Sequence, residues 1–131
     1  MTKTAATNAY NGIARKCGAI FVLEWSYMKY AASFSAGRLT VYLSGELDHH
    51  EAGGVIRTID ELIEDNMPRE CAIDLSDLRF MDSSGIAVII SAGRKMRTLG
   101  GRVIVENPQD QARKVLETSG IERLIAVGSH I

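Results

Sequence analysis

The chain has 131 residues, 46% of them hydrophobic and 24% charged, with a formal net charge of −1. That length suffices for one domain with a proper core, and the composition is ordinary for a soluble globular protein. The near-neutral balance excludes a general attraction to nucleic acid or to an anionic membrane surface.

Residues 1–27 carry little pattern. TKTAATNAYNG near the start is small and polar, and Ala19 to Leu23 is the only solid apolar run before Glu24 ends it. A membrane helix needs about 20 apolar residues and a signal-peptide core roughly 7–15, so this stretch reads as neither. It is either an extra structured arm or a tail that the domain does not need, and Met28 is a candidate internal start. The two cysteines, Cys17 and Cys71, form no metal or redox motif. Cys71 begins an apolar strand and reads as a buried reduced thiol, which fits the cytoplasm.

From Met28 the pattern sharpens. Tyr30 to Ser35 and Arg38 to Ser44 predict two strands joined by a tight turn at Ala36-Gly37, an antiparallel hairpin. Leu39, Val41 and Leu43 alternate with Thr40, Tyr42 and Ser44, so one face is buried. Asp48 is placed to cap a helix whose apolar face is Ala52, Val55, Ile56, Ile59, Leu62 and Ile63. Asp60, Glu61, Glu64 and Asp65 fall largely off that face and read as a solvated surface, not a metal site. His49 and His50 point about 100° apart on a helix, which does not suit one shared ion, so a structural or partner-contact role is expected. Gly53-Gly54 costs about 1 kcal/mol per glycine relative to alanine, and close packing against another element would account for it.

The stretch from Ala72 to Gly85, AIDLSDLRFMDSSG, is the most informative. AIDL predicts a short strand buried on both faces, Met81 to Gly85 a short polar loop, and IAVIISAGRKM a helix. Asp82, Ser83 and Ser84 then lie at a helix N-terminus on the edge of a sheet. Backbone N–H groups are free there, and open α/β sheets usually meet ligands and partners at that edge. The loop is poor in catalytic parts, because no His or Lys nearby in the sequence could serve as base and the residues do not fit G-x-S-x-G. Capping explains one of the three polar residues. A hydroxyl left over is well placed for reversible phosphorylation. The helix itself carries Ile86, Ile89, Ile90, Gly93 and Met96 on one face, and Ala87 and Val88 make its early part apolar nearly all round. Such a helix is deeply buried or docks a partner, and core positions are expected for Ile86, Ile89 and Ile90. Arg94, Lys95 and Arg97 suit the helix C-terminus and are too dispersed for a nucleic-acid patch.

Gly100-Gly101 ends that helix, and Arg102 to Glu106 predicts the next strand. Asn107-Pro108 reads as a cap followed by proline at the first helical position. Ala112, Val115 and Leu116 give the third helix its inner face, Ser119-Gly120 closes it, and Leu124 to Val127 is a last strand. Strands and helices alternating after a hairpin argue one α/β domain with a mostly parallel sheet.

Three segments resemble one family. FMDSSGIAVII at 80–90 with DLSDL at 74–78, SGELDHHEA at 44–52, and GGRVIVENPQDQARKVLETSGIERLIAV at 100–127 look like the anti-sigma factor antagonists of the STAS domain family, of the sporulation type. The resemblance covers about residues 28–131 and leaves 1–27 as an N-terminal extension. Sporulation-type members usually carry a Gly-Arg-Tyr-Lys-like segment in helix two, where Ser91-Ala92-Gly93-Arg94-Lys95 stands here without the tyrosine.

The resemblance implies a single STAS-type α/β domain: an N-terminal hairpin, then alternating helices and strands forming a mixed sheet with helices packed on it. It implies a switch protein and not an enzyme. Unphosphorylated, such a protein binds an anti-sigma factor that doubles as a serine kinase and so frees a sigma factor. Phosphorylation of the first serine, here Ser83, switches it off, and a serine phosphatase reverses this. ATP and magnesium belong to the kinase, so no cofactor, metal, direct nucleic-acid contact or membrane contact is expected of this chain. Partner contacts are implied at Asp82, Ser83, Ser84 and Gly85, and at Asp48, His49 and His50. At Gly85 the missing side chain would keep the surface low for a partner's backbone. Two other readings dispense with phosphorylation: a STAS scaffold or transport-associated interaction module, and a small-ligand or nucleotide-binding module at the same helix N-terminus.

Overall fold

The computed structural model describes residues 20–25 and 28–128. Among the described residues six strands lie side by side in chain order: β1 (Ile20–Trp25), β2 (Met28–Ser35), β3 (Arg38–Leu47), β4 (Glu70–Met81), β5 (Arg102–Glu106) and β6 (Ala126–Gly128). β1, β2 and β3 pair antiparallel, and β3 to β6 pair parallel. Helices α1 (His49–Asn66), α2 (Ser83–Thr98) and α3 (Asp110–Ser119) fill the parallel crossovers, with a short 3-10 turn at Ile121–Arg123. Parallel crossovers are right-handed, and the strand order never reverses, so all three helices pack on one face of the sheet.

The period-2 pattern accounts for that face. Leu39, Val41 and Leu43 of β3 are buried against Cys71, Ile73 and Leu75 of β4 and Val103 and Val105 of β5, in one core with the inner faces of the helices. Burial pushes the Cys71 thiol up to about 12, which keeps it protonated and unreactive at neutral pH. The hairpin turn is where it was expected. Ala36 and Gly37 have φ of 54° and 79°, the two positive values of a type I′ turn that matches the twist of the strands it joins. Arg38 lies on the opposite face of the sheet and reaches across β4 to Glu106 at 2.6 Å, while Thr40, Ala72 and Ile104 align in register between them.

The structure departs from the sequence expectations at several points. Of the alternatives for residues 1–27, Ile20–Trp25 forms an arm that extends the sheet beyond β2. Residues 1–19, 26 and 27 lie outside the described residues, and with them Cys17. The central strand is 12 residues long and runs to Met81, so the expected loop shrinks to Asp82 alone. Asn107 does not cap the third helix. It adopts φ 56° and donates through Nδ2 to Asp74 at 3.0 Å, so the chain turns there and the helix begins at Asp110 with Gln109 at its N-cap. The last strand starts at Ala126, because the 3-10 turn draws Ile121 and Ile125 inward and leaves Leu124 exposed.

Gly53 is a further correction. It is exposed, and a Cβ there would meet only Arg57 of its own helix at 3.7 Å, an ordinary contact. Close packing therefore does not explain it, although Gly54 beside it is buried. Gly53→Ala is expected to stabilise the fold by about 1 kcal/mol through helix propensity and unfolded-state entropy. Thermal unfolding should show a melting temperature raised by about 4 °C.

Candidate functional site

Two strand ends and two helix starts meet at the C-terminal edge of the parallel strands. Leu47 closes β3 and Met81 closes β4, and the two are register partners. Each is followed by one aspartate and then a helix. Asp48 accepts from the backbone N–H of His50 at 3.0 Å and of Glu51 at 3.1 Å. Asp82 accepts from the N–H of Ser84 at 2.8 Å. Each carboxylate thus satisfies donors that the first helical turn leaves unpaired and sits at the positive end of a helix dipole. The Asp82 N–H donates to the Leu47 carbonyl at 3.3 Å, which ties the two junctions together.

With Asp82 as the cap, Ser83 becomes the first helical residue. Its side chain is exposed, and its hydroxyl has no hydrogen-bond partner among the described residues. Among the described residues no His, Lys or carboxylate is bonded to it that could draw off its proton. As a nucleophile it is unassisted, and as an acceptor of a group brought by another protein it is open. Ser84 is half-buried, with its amide held in the cap. His49 and His50 are exposed at the start of α1, on the same sheet edge, with ring centroids 5.7 Å apart in an edge-to-face arrangement. Asp48, His49, His50, Asp82, Ser83 and Ser84 are thus brought to one edge.

Gly85 is not part of that surface. It is buried, and a Cβ there would stand 2.3 Å from Met81 Cγ, 2.6 Å from its Sδ and 3.3 Å from Leu47 Cδ2. The missing side chain lets α2 settle onto the ends of β3 and β4; it does not keep a partner-facing surface low. The core reading of α2 also changes. Ile89 is buried with Val88, Ala92 and Met96, but Ile86 and Ile90 are only half-buried and Ala87 is exposed. On α1, Glu61 and Glu64 are exposed and Glu64 pairs with Lys95 of α2. Among the described residues no group of three His, Cys, Asp or Glu is arranged to hold a metal ion.

Two glutamines that sequence reasoning passed over position the site. β5 stops at Glu106, the register partner of Asp74, whereas β4 continues to Met81. Side chains from the start of α3 pair with the uncovered edge. Gln109 Nε2 donates to the Ser76 carbonyl at 2.5 Å. Gln111 accepts from the Met81 N–H at 2.8 Å and donates to the Met81 carbonyl at 2.9 Å. One side-chain amide stands in for a missing strand immediately before Asp82. Its partner lies 30 residues away, so no local pattern could reveal it. Gln111→Ala should leave both Met81 groups unpaired and cost about 1–3 kcal/mol. Thermal unfolding measures this loss, and faster amide exchange at Met81 would place it.

A family model, that of the STAS domain, matches residues 29–131. The chain belongs to the STAS domain family. Within it, the chain falls among the anti-sigma factor antagonists. An anti-sigma F factor antagonist from Paenibacillus polymyxa is 34% identical over 91 residues, 70% of this chain and 78% of that one. The anti-sigma factor antagonist SpoIIAA in its unphosphorylated form is 26% identical with a TM-score of 0.62, covering 83% of this chain and 87% of that one. The Bacillus cell fate determinant SpoIIAA in its phosphorylated form is 26% identical with a TM-score of 0.55, covering 83% and 90%.

Proposed function

We propose that this chain is an anti-sigma factor antagonist that works as a phosphorylation switch. Unphosphorylated, it binds an anti-sigma factor that is also a serine kinase, and the sigma factor is released. The kinase transfers the γ-phosphoryl group of its own ATP to Ser83 Oγ, and a serine phosphatase removes it. The chain itself contributes no catalysis, holds no cofactor or metal, and touches neither nucleic acid nor membrane. Its place of work is the cytoplasm.

The observation that carries this reading is the state of Ser83. Asp82 does the capping, so the adjacent hydroxyl remains exposed and unbonded at the mouth of a helix dipole. A phosphate there is tolerated by the fold and is conspicuous to a partner. Relatives support the same reading, since SpoIIAA, which is similar over most of its length, has been solved in both unphosphorylated and phosphorylated forms. The partner surface is the edge that carries Asp82, Ser83 and Ser84 beside Asp48, His49 and His50.

Calorimetry against each anti-sigma factor encoded by the chain's own genome tests the proposal. One of them should bind the unphosphorylated chain, and the complex should release its sigma factor to active transcription. Binding to none of them, or binding that leaves the sigma factor held, contradicts it.

A further inference from the structure

Helix α2 is apolar over more of its surface than the core takes up. Gly85, Val88, Ile89, Ala92 and Met96 are buried, whereas Ile86 stays half-buried and faces a crevice against α3. Ile86 and Val115 supply the apolar lining of that crevice, a cavity of about 340 Å³ that Ser83, Lys114, Thr118 and Ser119 also line. Lys114 is exposed and has no ion-pair partner among the described residues. An apolar lining, an uncommitted cation and the exposed serine therefore share one small cavity.

We propose that this crevice is the subsite that receives an apolar side chain of the anti-sigma partner, next to a partner carboxylate that pairs with Lys114. The proposal deepens the reading of Ser83 as a switch and rests on it. Charge complementarity selects the occupant. The ammonium is free to pair outward, and the methyl groups of Ile86 and Val115 offer contact only to something apolar. A leucine- or methionine-sized side chain flanked by Asp or Glu meets both demands.

The presence of Ser83 and Lys114 in the lining of one crevice then gives phosphorylation a physical route to partner release. A phosphate on Oγ lies at the crevice mouth, where it obstructs entry. It also sets an anion in the crevice that Lys114 lines, where it competes for the ammonium through charge-assisted hydrogen bonding, the stronger kind. The partner's carboxylate would then face about −1.5 to −2 charges where it had met a cation. One modification both obstructs the subsite and reverses its electrostatic sign.

The test uses the full chain and the anti-sigma factor that binds it by calorimetry. Thr118→Trp fills the crevice from an exposed position, and Lys114→Glu reverses the rim charge. Each should lower affinity at least about tenfold, the equivalent of 1.4 kcal/mol, with the melting temperature within a few degrees of wild type. Lys114→Gln should lose less and should show a weaker dependence on salt, having lost only the charge attraction. Glu117→Lys, on α3 but outside the crevice, should bind as wild type. Wild-type affinity in both Thr118→Trp and Lys114→Glu overturns this proposal alone. A wild-type chain that binds no anti-sigma factor overturns the switch reading and this proposal with it.

Discussion

Ser83→Asp is expected to keep the melting temperature within a few degrees of wild type while its affinity for the anti-sigma partner falls at least about tenfold, a 1.4 kcal/mol change. The fold tolerates the charge because Ser83 is exposed at the first position of α2. There the dipole favours an anion by about 0.3–1 kcal/mol. Asp82 next door is already negative and offsets part of that gain. The interface is less forgiving. A surface shaped for a neutral hydroxyl must desolvate a carboxylate and leave it mismatched, and buried charge mismatches cost about 2–5 kcal/mol. The interface effect is the larger, so binding falls and folding does not. Ser83→Ala should bind and accept no phosphate, leaving the switch on. Calorimetry and thermal unfolding on the same samples separate the two effects. Equal affinity of Ser83→Asp and wild type would sink the assignment.

Gly85→Leu should behave in the opposite way and fail at the level of folding. Met81 and Leu47, the side chains that a Cβ at position 85 would strike, are themselves buried to 1% exposure or less. Neither can move outward. Overpacking costs about 1–3 kcal/mol for extra methylenes in a full core, and here an entire side chain enters where no space exists. A loss of about 3 kcal/mol or more is expected, enough to lower the melting temperature by about 10 °C or to prevent folding. Gly85→Ala should lose less, because it inserts one carbon where leucine inserts four. A Gly85→Leu variant that melts like wild type and fails only in binding would restore a partner-facing role for this glycine.

Much of the fold was legible because its signals are local. Alternation at Leu39, Val41 and Leu43 specifies a strand with one buried face, and the spacing of Val55, Ile59, Leu62 and Ile63 specifies an amphipathic helix. Asp48 and Asp82 each precede an apolar helical pattern, so their capping roles were within reach, and so was the position of Ser83 at a helix start. The parts that escaped depend on contacts distant in sequence. The charges and polar residues of SDLRF disguise the second half of β4, which is a strand because it pairs with Ser44 to Leu47 of β3 on one edge, while Gln109 and Gln111 bond to the other. Asn107 follows from its bond to Asp74, 33 residues earlier. Gly85 looks like surface beside two serines, and only the three-dimensional approach of Met81 and Leu47 turns it inward. The all-round apolar character of α2 was visible, but not which residues the core would leave over.

The most direct measurement is the position of the phosphate. The anti-sigma factor that binds this chain should be incubated with it in the presence of ATP and magnesium, and the modified residue mapped by tandem mass spectrometry of the 80–94 region. A single phosphate on Ser83, absent in Ser83→Ala and retained in Ser84→Ala, is the predicted result. Phosphate on Ser84 and not on Ser83, or none on this chain while the two proteins remain bound, would contradict the switch.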